Sequence, residues 1–165
     1  MSNEYHTPAL RDEALRYLTS DVHGVYVDGT LGGGGHAEAL CKQSSEHSKL
    51  ICFDADEDAI RFASERLKHF SPRITYVHSN VRHIKRELHA LDVSSINGLL
   101  LDLGVSSFQI DQESKGFSFR GDEKIDMRMD RRQELTGWDV VNKYEEEKLA
   151  NVIWKYGEER NSRRI

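Results

Sequence analysis

The chain has 165 residues, enough for one ordinary domain, with 38% hydrophobic and 31% charged side chains and a formal net charge of −5. No apolar run approaches the ~18 residues of a transmembrane helix, and the start, M-S-N-E-Y-H-T-P, lacks the blocks of a signal peptide, so the expected location is the cytoplasm. The acidic surplus lies in residues 1–119, residues 120–165 are balanced, and composition therefore shows no basic footprint for nucleic acid.

Residues 8–18 read as an amphipathic helix, with Thr7 as its cap, Pro8 in its first turn and Leu10, Ala14, Leu15 and Leu18 on one face. Val25 to Val27 are strand-formers and Asp28 closes that strand. Glycine then stands at 29, 32, 33, 34 and 35, and the pattern turns helical from His36 through Lys42. Strand, glycine-rich turn and helix start together make an anion-friendly cradle, because glycine admits a close ligand and the helix offers free N–H groups. Residues 49–54 form a second apolar strand ending at Asp54, which follows Gly32 by 22 residues. That spacing is the one at which a Rossmann-type site sets an acid on ribose hydroxyls, roughly 20 residues on.

Asp56 caps the next helix, where Ile60, Ala63 and Leu67 are spaced for burial and Pro72 lies just past the end. A third strand spans 73–78 and a third helix 81–91. A fourth strand spans 96–103, whose continuous apolar run predicts burial on both faces. The alternation predicts a parallel sheet of βαβ units. Gly32 to His36, Asp54, Asn80, Val81 and Asp102 then all fall at carboxyl ends of strands, where such sheets bind ligands.

After Asp102 comes a long polar loop with embedded aromatics, then D-M-R-M-D over 126–130, then helical sequence from Thr136. Trp138 and Trp154 are expected in the core of that region. Cys41 and Cys52 are the only cysteines and form no C-x-x-C, so both read as reduced core residues; the eight histidines form no metal-ligand motif.

The motifs D-G-T-x-G-G-G-G-H, F-D-x-D, L-L-L-D-L-G-V-S-S-x-Q, G-F-S-F-R, D-M-R-M-D and Y-G-E-E-R-x-x-R-R-I, in that order, resemble the N-terminal half of the bacterial RsmH (MraW) family. The resemblance covers essentially the whole chain. It implies a Rossmann-like class I methyltransferase sheet over residues 1–108 and, over 109–165, the start of an inserted, mainly helical substrate-recognition domain. It implies S-adenosyl-L-methionine as cofactor and transfer of its methyl group to the exocyclic N4 amine of a cytidine in 16S rRNA of the small ribosomal subunit. Gly34, Gly35 and His36 would cradle the methionine part, Asp54 the ribose, and Asp102 and Gln109 would complete the cofactor and target site. Val81 stands where many members have an aromatic residue near the adenine. Asp102 is the candidate catalytic residue, accepting from the amine or from the cofactor ammonium; a strand-end cap is the structural alternative. No metal and no membrane partner is implied, and a homodimer stays open. Similar proteins continue for about another domain, so the chain is expected to be a fragment.

Phe108, Phe117 and Phe119 could stack on an extruded base or pack the loop. Arg120, Arg128, Arg131 and Arg132 could contact phosphates, although the interleaved Asp122, Asp126 and Asp130 favour ion pairs. Two other functions compete: a cofactor-binding fragment without activity of its own, and a nucleotide-dependent Rossmann oxidoreductase, in whose G-x-G-x-x-G/A pattern Ala37 would take the third place.

Overall fold

The computed structural model describes residues 8, 10–19, 21, 23–119 and 122–165, apart from the side chains of Ser107 and Phe108. The expected roles of Thr7, Arg120 and the Phe108 ring lie outside the described residues. The chain forms two compact units, Met1–Phe108 and Gln109–Ile165.

The first unit is a doubly wound α/β layer structure. Its elements run α1 (Arg11–Leu18), β1 (Val25–Asp28), α2 (Gly35–Gln43), β2 (Lys49–Asp54), α3 (Glu57–Arg66), β3 (Ile74–His78), α4 (Ile84–Ala90) and β4 (Gly98–Leu100). The strands are all parallel and lie in the order β3-β2-β1-β4. Side chains alternate across the sheet with the period of two that a pleated strand imposes. Tyr26, Leu50 and Cys52 pack on one face with Leu15, Ala37, Leu40, Cys41, Ala63 and Leu67. Val27, Ile51 and Phe53 pack on the other, with Val77, Ile84 and Leu88. Both cysteines are free thiols buried in this core. Burying a side chain such as Phe53 or Val27 contributes about 1.5–3 kcal/mol, and both are fully enclosed. Tyr26 keeps its polar end satisfied: its hydroxyl donates to the Asp21 carbonyl and accepts from the Asp21 amide.

Three expectations need correcting here. Helix α1 starts at Arg11, so Pro8 precedes it, and Leu10 is exposed rather than on the buried face. The helix expected over 81–91 opens with a 3-10 turn, Val81–His83, before α4; its Asn80 cap accepts from the Arg82 amide. The fourth strand is only three residues long and, among the described residues, pairs with β1 alone. Its flanking run is not buried on both faces: Leu99 is 41% and Leu101 45% exposed. A fully apolar run has no period from which an edge can be told from a centre; neighbours decide that.

The division between the units falls within α5 (Ser107–Asp111). The second unit continues through a 3-10 turn at Glu113–Lys115 to α6 (Gly137–Lys143) and α7 (Glu146–Gly157). The stretch between is tied by backbone bonds from Met127 to Lys115 (2.8 Å) and from Gly137 to Asp126 (2.7 Å). Thr136 and Asp139 form a reciprocal capping box that starts α6. Trp138 and Trp154 are not core: they are 39% and 59% exposed. Trp138 instead carries the ammonium groups of Lys124 and Lys143 within 6 Å of its ring, at 5.8 and 5.6 Å.

Candidate functional site

Strand β1 has β2 on one side and β4 on the other, so the chain order reverses across it. A crevice opens outside the carboxyl ends of the strands at such a switch point. Asp28 and Asp102 flank it, at the ends of β1 and β4, and Asp54 ends β2.

The glycine turn is bound to the sheet rather than free. Leu31 donates its amide to the Phe53 carbonyl at 2.9 Å, and Gly32 donates to Oδ2 of Asp54 at 2.8 Å. Oδ1 of Asp54 accepts from the Asp56 amide at 2.9 Å. Burial raises the pKa of Asp54, and the amide bonds from Asp56 and Gly32 act against that rise. Each carboxylate oxygen has a second lone pair, so acceptor capacity remains for a ligand hydroxyl.

Gly34 caps α2 in the left-handed region, at φ 76°. A Cβ there would lie 3.2 Å from both Ala63 and Leu67, so α2 approaches α3 closely only because this residue is glycine. Pro8 fills the corresponding space at Gly35. At Gly29 a Cβ would stand 2.5 Å from Leu101 and 2.7 Å from Val81, which brings Val81 from beyond β3 to the end of β1.

His36 follows in the first turn of α2, 8% exposed. Its Nε2 lies 3.7 Å from Oδ2 of Asp102, too long for a direct hydrogen bond. Burial lowers the His36 pKa, more than the Asp102 charge lifts it, so the ring is neutral at pH 7. The Asp102 amide donates to Thr30 Oγ1 at 2.7 Å, and the Thr30 amide donates to Asp28 Oδ1 at 3.1 Å. Asp28, Thr30 and Asp102 thus form a chain across the switch point.

Asp28 is the residue that sequence reading passed over as a strand end. It is 2% exposed, and burial pushes its pKa up to about 7, opposed by the Thr30 bond and reinforced by the charges of Asp54 and Asp102. Its Oδ2 and the Nδ1 of His36 are buried without a hydrogen-bond partner. The signal was present in V-Y-V-D-G, an acid ending a buried strand, but sequence gives no depth.

The sequence-predicted residues Gly34, Gly35, His36, Asp54, Val81 and Asp102 are thus gathered at the strand ends of the first unit. Gln109 belongs to the second unit, where it is buried at 6% exposure. In that unit Phe119 is fully open to solvent, while Phe117 is half-buried. Arg128 and Arg132 are held by Asp126 and Asp130, at 2.6 and 2.8 Å, which makes them ion pairs as the interleaved acids suggested. Among the described residues no group of three His, Cys, Asp or Glu side chains is arranged to hold a metal ion, and no helix is long and apolar enough to cross a membrane.

A parallel sheet with a glycine turn at β1 and an acid ending β2 defines a Rossmann-like α/β domain. The chain belongs to the MraW methylase family, whose model matches residues 3–165. It is 43% identical over 160 residues to the ribosomal RNA small subunit methyltransferase H of Finegoldia magna, covering 97% of this chain and 51% of that protein. The Brevibacillus brevis protein of the same name is 45% identical over 161 residues, covering 98% and 51%, and one from Clostridium botulinum is 46% identical over 160, covering 97% and 52%. The chain spans about half the length of the curated relatives it matches. Among solved structures, NSun6 from Pyrococcus horikoshii aligns with a TM-score of 0.48 and 18% identity, over 58% of this chain and 24% of that one, which adds nothing to the assignment.

Proposed function

We propose that this chain is the cofactor-holding part of an S-adenosylmethionine-dependent methyltransferase that modifies the N4 amine of a cytidine in 16S rRNA, within the small ribosomal subunit of the cytoplasm. The observation that carries the reading is the convergence of the Gly32–His36 turn, Asp54 and Asp102 on the β1/β4 switch point. The rRNA substrate comes from the names of the relatives, and the N4 position from the family resemblance. Family membership sets aside the oxidoreductase alternative.

The residues present fit such a cofactor. Asp54 retains acceptor capacity for ribose hydroxyls beside its two amide bonds. Val81 offers an apolar contact at the end of β3. The first turn of α2, with Gly35 and His36, presents helix N–H groups to a carboxylate. The unpartnered buried atoms Asp28 Oδ2 and His36 Nδ1 mark a polar locus at the same strand ends. When bound, the cofactor supplies an electrophilic methyl group on a sulfonium.

The amine of cytosine is a weak nucleophile because its lone pair is delocalised into the ring. In this reading Asp102, half exposed at the crevice, accepts a hydrogen bond from that amine and holds it in line. Orientation of this kind is worth roughly 7–11 kcal/mol of barrier. Thr30 fixes the Asp102 backbone by accepting from its amide, and the His36 ring lies 3.7 Å from the Asp102 carboxylate. Gln109 is retained in this reading as a residue of the cofactor and target site, and residues 109–165 as the start of a substrate-recognition domain.

Calorimetric titration with S-adenosylmethionine tests the pocket, with Asp54→Ala as control. Binding that the variant loses supports the reading; a folded chain that binds none counts against it. Methyl transfer to small ribosomal subunits then tests the activity, and binding without transfer identifies a cofactor-holding half that needs further protein.

A further inference from the structure

The C-terminal turn of α7 builds a second polar site, wholly within the second unit. Glu158 adopts the left-handed conformation at the helix end, φ 54°, and its amide returns to the Ile153 carbonyl. The chain then doubles back into a 3-10 turn at Ser162–Arg164, closed by bonds from Ser162 to Glu159 (3.2 Å) and from Arg164 to Asn161 (2.7 Å). Between helix and turn lies an open groove of about 380 Å³, lined by Asn151, Trp154 and residues 160–164. No acid lines it. Arg160, Arg163 and Arg164 make no ion pair among the described residues, and Arg163 meets only the Asn151 side-chain oxygen, at 3.4 Å. Trp154 is 59% exposed. This contrasts with Trp138, whose ring carries two lysine ammonium groups, and with Arg128 and Arg132, which are neutralised by acids.

We propose that this groove binds a single-stranded RNA segment, with one base stacked on Trp154 and the flanking phosphates on Arg160, Arg163 and Arg164. The chemistry is that of single-strand binding sites, where an aromatic face takes a base of any sequence and cations follow the backbone. Guanidinium groups suit phosphate because their planar fork matches its oxygens. Asn151 and Asn161 add neutral donors and acceptors at the rim. The inference rests on the rRNA reading above and assigns an RNA contact to the second unit.

The test uses this 165-residue chain and a short fluorescein-labelled single-stranded RNA, with inorganic polyphosphate as the base-free probe. Trp154→Ala should weaken RNA binding about tenfold, the size of one base–aromatic stack, and Trp154→Phe should restore most of it. Replacing Arg160, Arg163 and Arg164 together by alanine should flatten the salt dependence by about 2 in log–log slope, at ~0.7 per phosphate contact. In a Trp138→Phe background Trp154 is the sole tryptophan, and RNA should quench it and shield it from iodide. Unchanged affinity in the groove variants, with their circular dichroism intact, overturns the proposal. So does equal binding of polyphosphate with Trp154 unquenched, because the groove is then only an anion patch. The two readings fail separately: subunit methylation with wild-type RNA affinity in the groove variants sinks the groove alone, while groove-dependent RNA binding by a chain that binds no S-adenosylmethionine sinks the methyltransferase reading alone.

Discussion

The amide of Gly32 donates to Oδ2 of Asp54 at 2.8 Å, joining the glycine turn after β1 to the end of β2. One carboxylate therefore shapes the loop and also stands at the ribose position of the proposed site. Asp54→Ala should cost cofactor affinity by at least tenfold, since a hydrogen bond to a charged group is worth about 1.5–3 kcal/mol. It should also loosen the Gly32–Gly34 backbone. Amide hydrogen exchange across residues 31–35 checks the second effect: faster exchange in the variant is expected, and unchanged protection would refute the clamp.

Asp28 makes stability depend on pH. Its folded pKa, about 7, stands above the ordinary value of 3.8 because burial disfavours the charged form. Between those values the folded state holds a proton that the unfolded state has released, so stability falls as pH rises from about 4 to about 7. At ~1.4 kcal/mol per pH unit the loss is on the order of 2–4 kcal/mol. Asp28→Asn keeps an acceptor for the Thr30 amide and cannot ionise. Denaturant midpoints at pH 5 and pH 8 should differ less in the variant than in the parent chain, and the variant should be the more stable at pH 8.

Gly34→Ala tests why the turn needs glycine. A Cβ at φ 76° costs roughly 1–2 kcal/mol. It would also press on Leu67 and Ala63, both fully buried, at 3.2 Å, and overpacking of a tight core adds about 1–3 kcal/mol. Urea unfolding should show a lower midpoint with an unchanged slope. A midpoint equal to that of the parent chain would mean that α2 and α3 shift apart freely.

Arg73 is a structural clamp that no motif announced. It donates to the Cys41 carbonyl at 3.2 Å and to the hydroxyls of Ser44 and Ser48 at 2.8 Å each, and its guanidinium lies 5.9 Å from the centre of the Phe70 ring. Lysine has one nitrogen and cannot span these acceptors. Arg73→Lys should destabilise the first unit by about 1–3 kcal/mol, the cost of stranding buried polar groups, with cofactor affinity unchanged. Thermal unfolding with and without S-adenosylmethionine separates the two effects.

Much of this protein could be read from its sequence. The strand–glycine turn–helix order, the cap at Asp56 and the acid ending β2 are local patterns, fixed by backbone preferences over a few residues, and they located Gly34, Gly35, His36, Asp54 and Asp102 at strand ends. Tertiary structure decided what depends on neighbours far along the chain. It left Leu99 and Leu101 half-exposed at β4, and it left Trp138 and Trp154 at the surface. It turned Asp28 from a strand terminator into a carboxyl with a pKa near 7, because depth and nearby charge, not residue type, set ionisation. The hydrophobic period tells a chain which side chains to bury; which strand has a second neighbour, and how deep an acid lies, are settled only when the layers close.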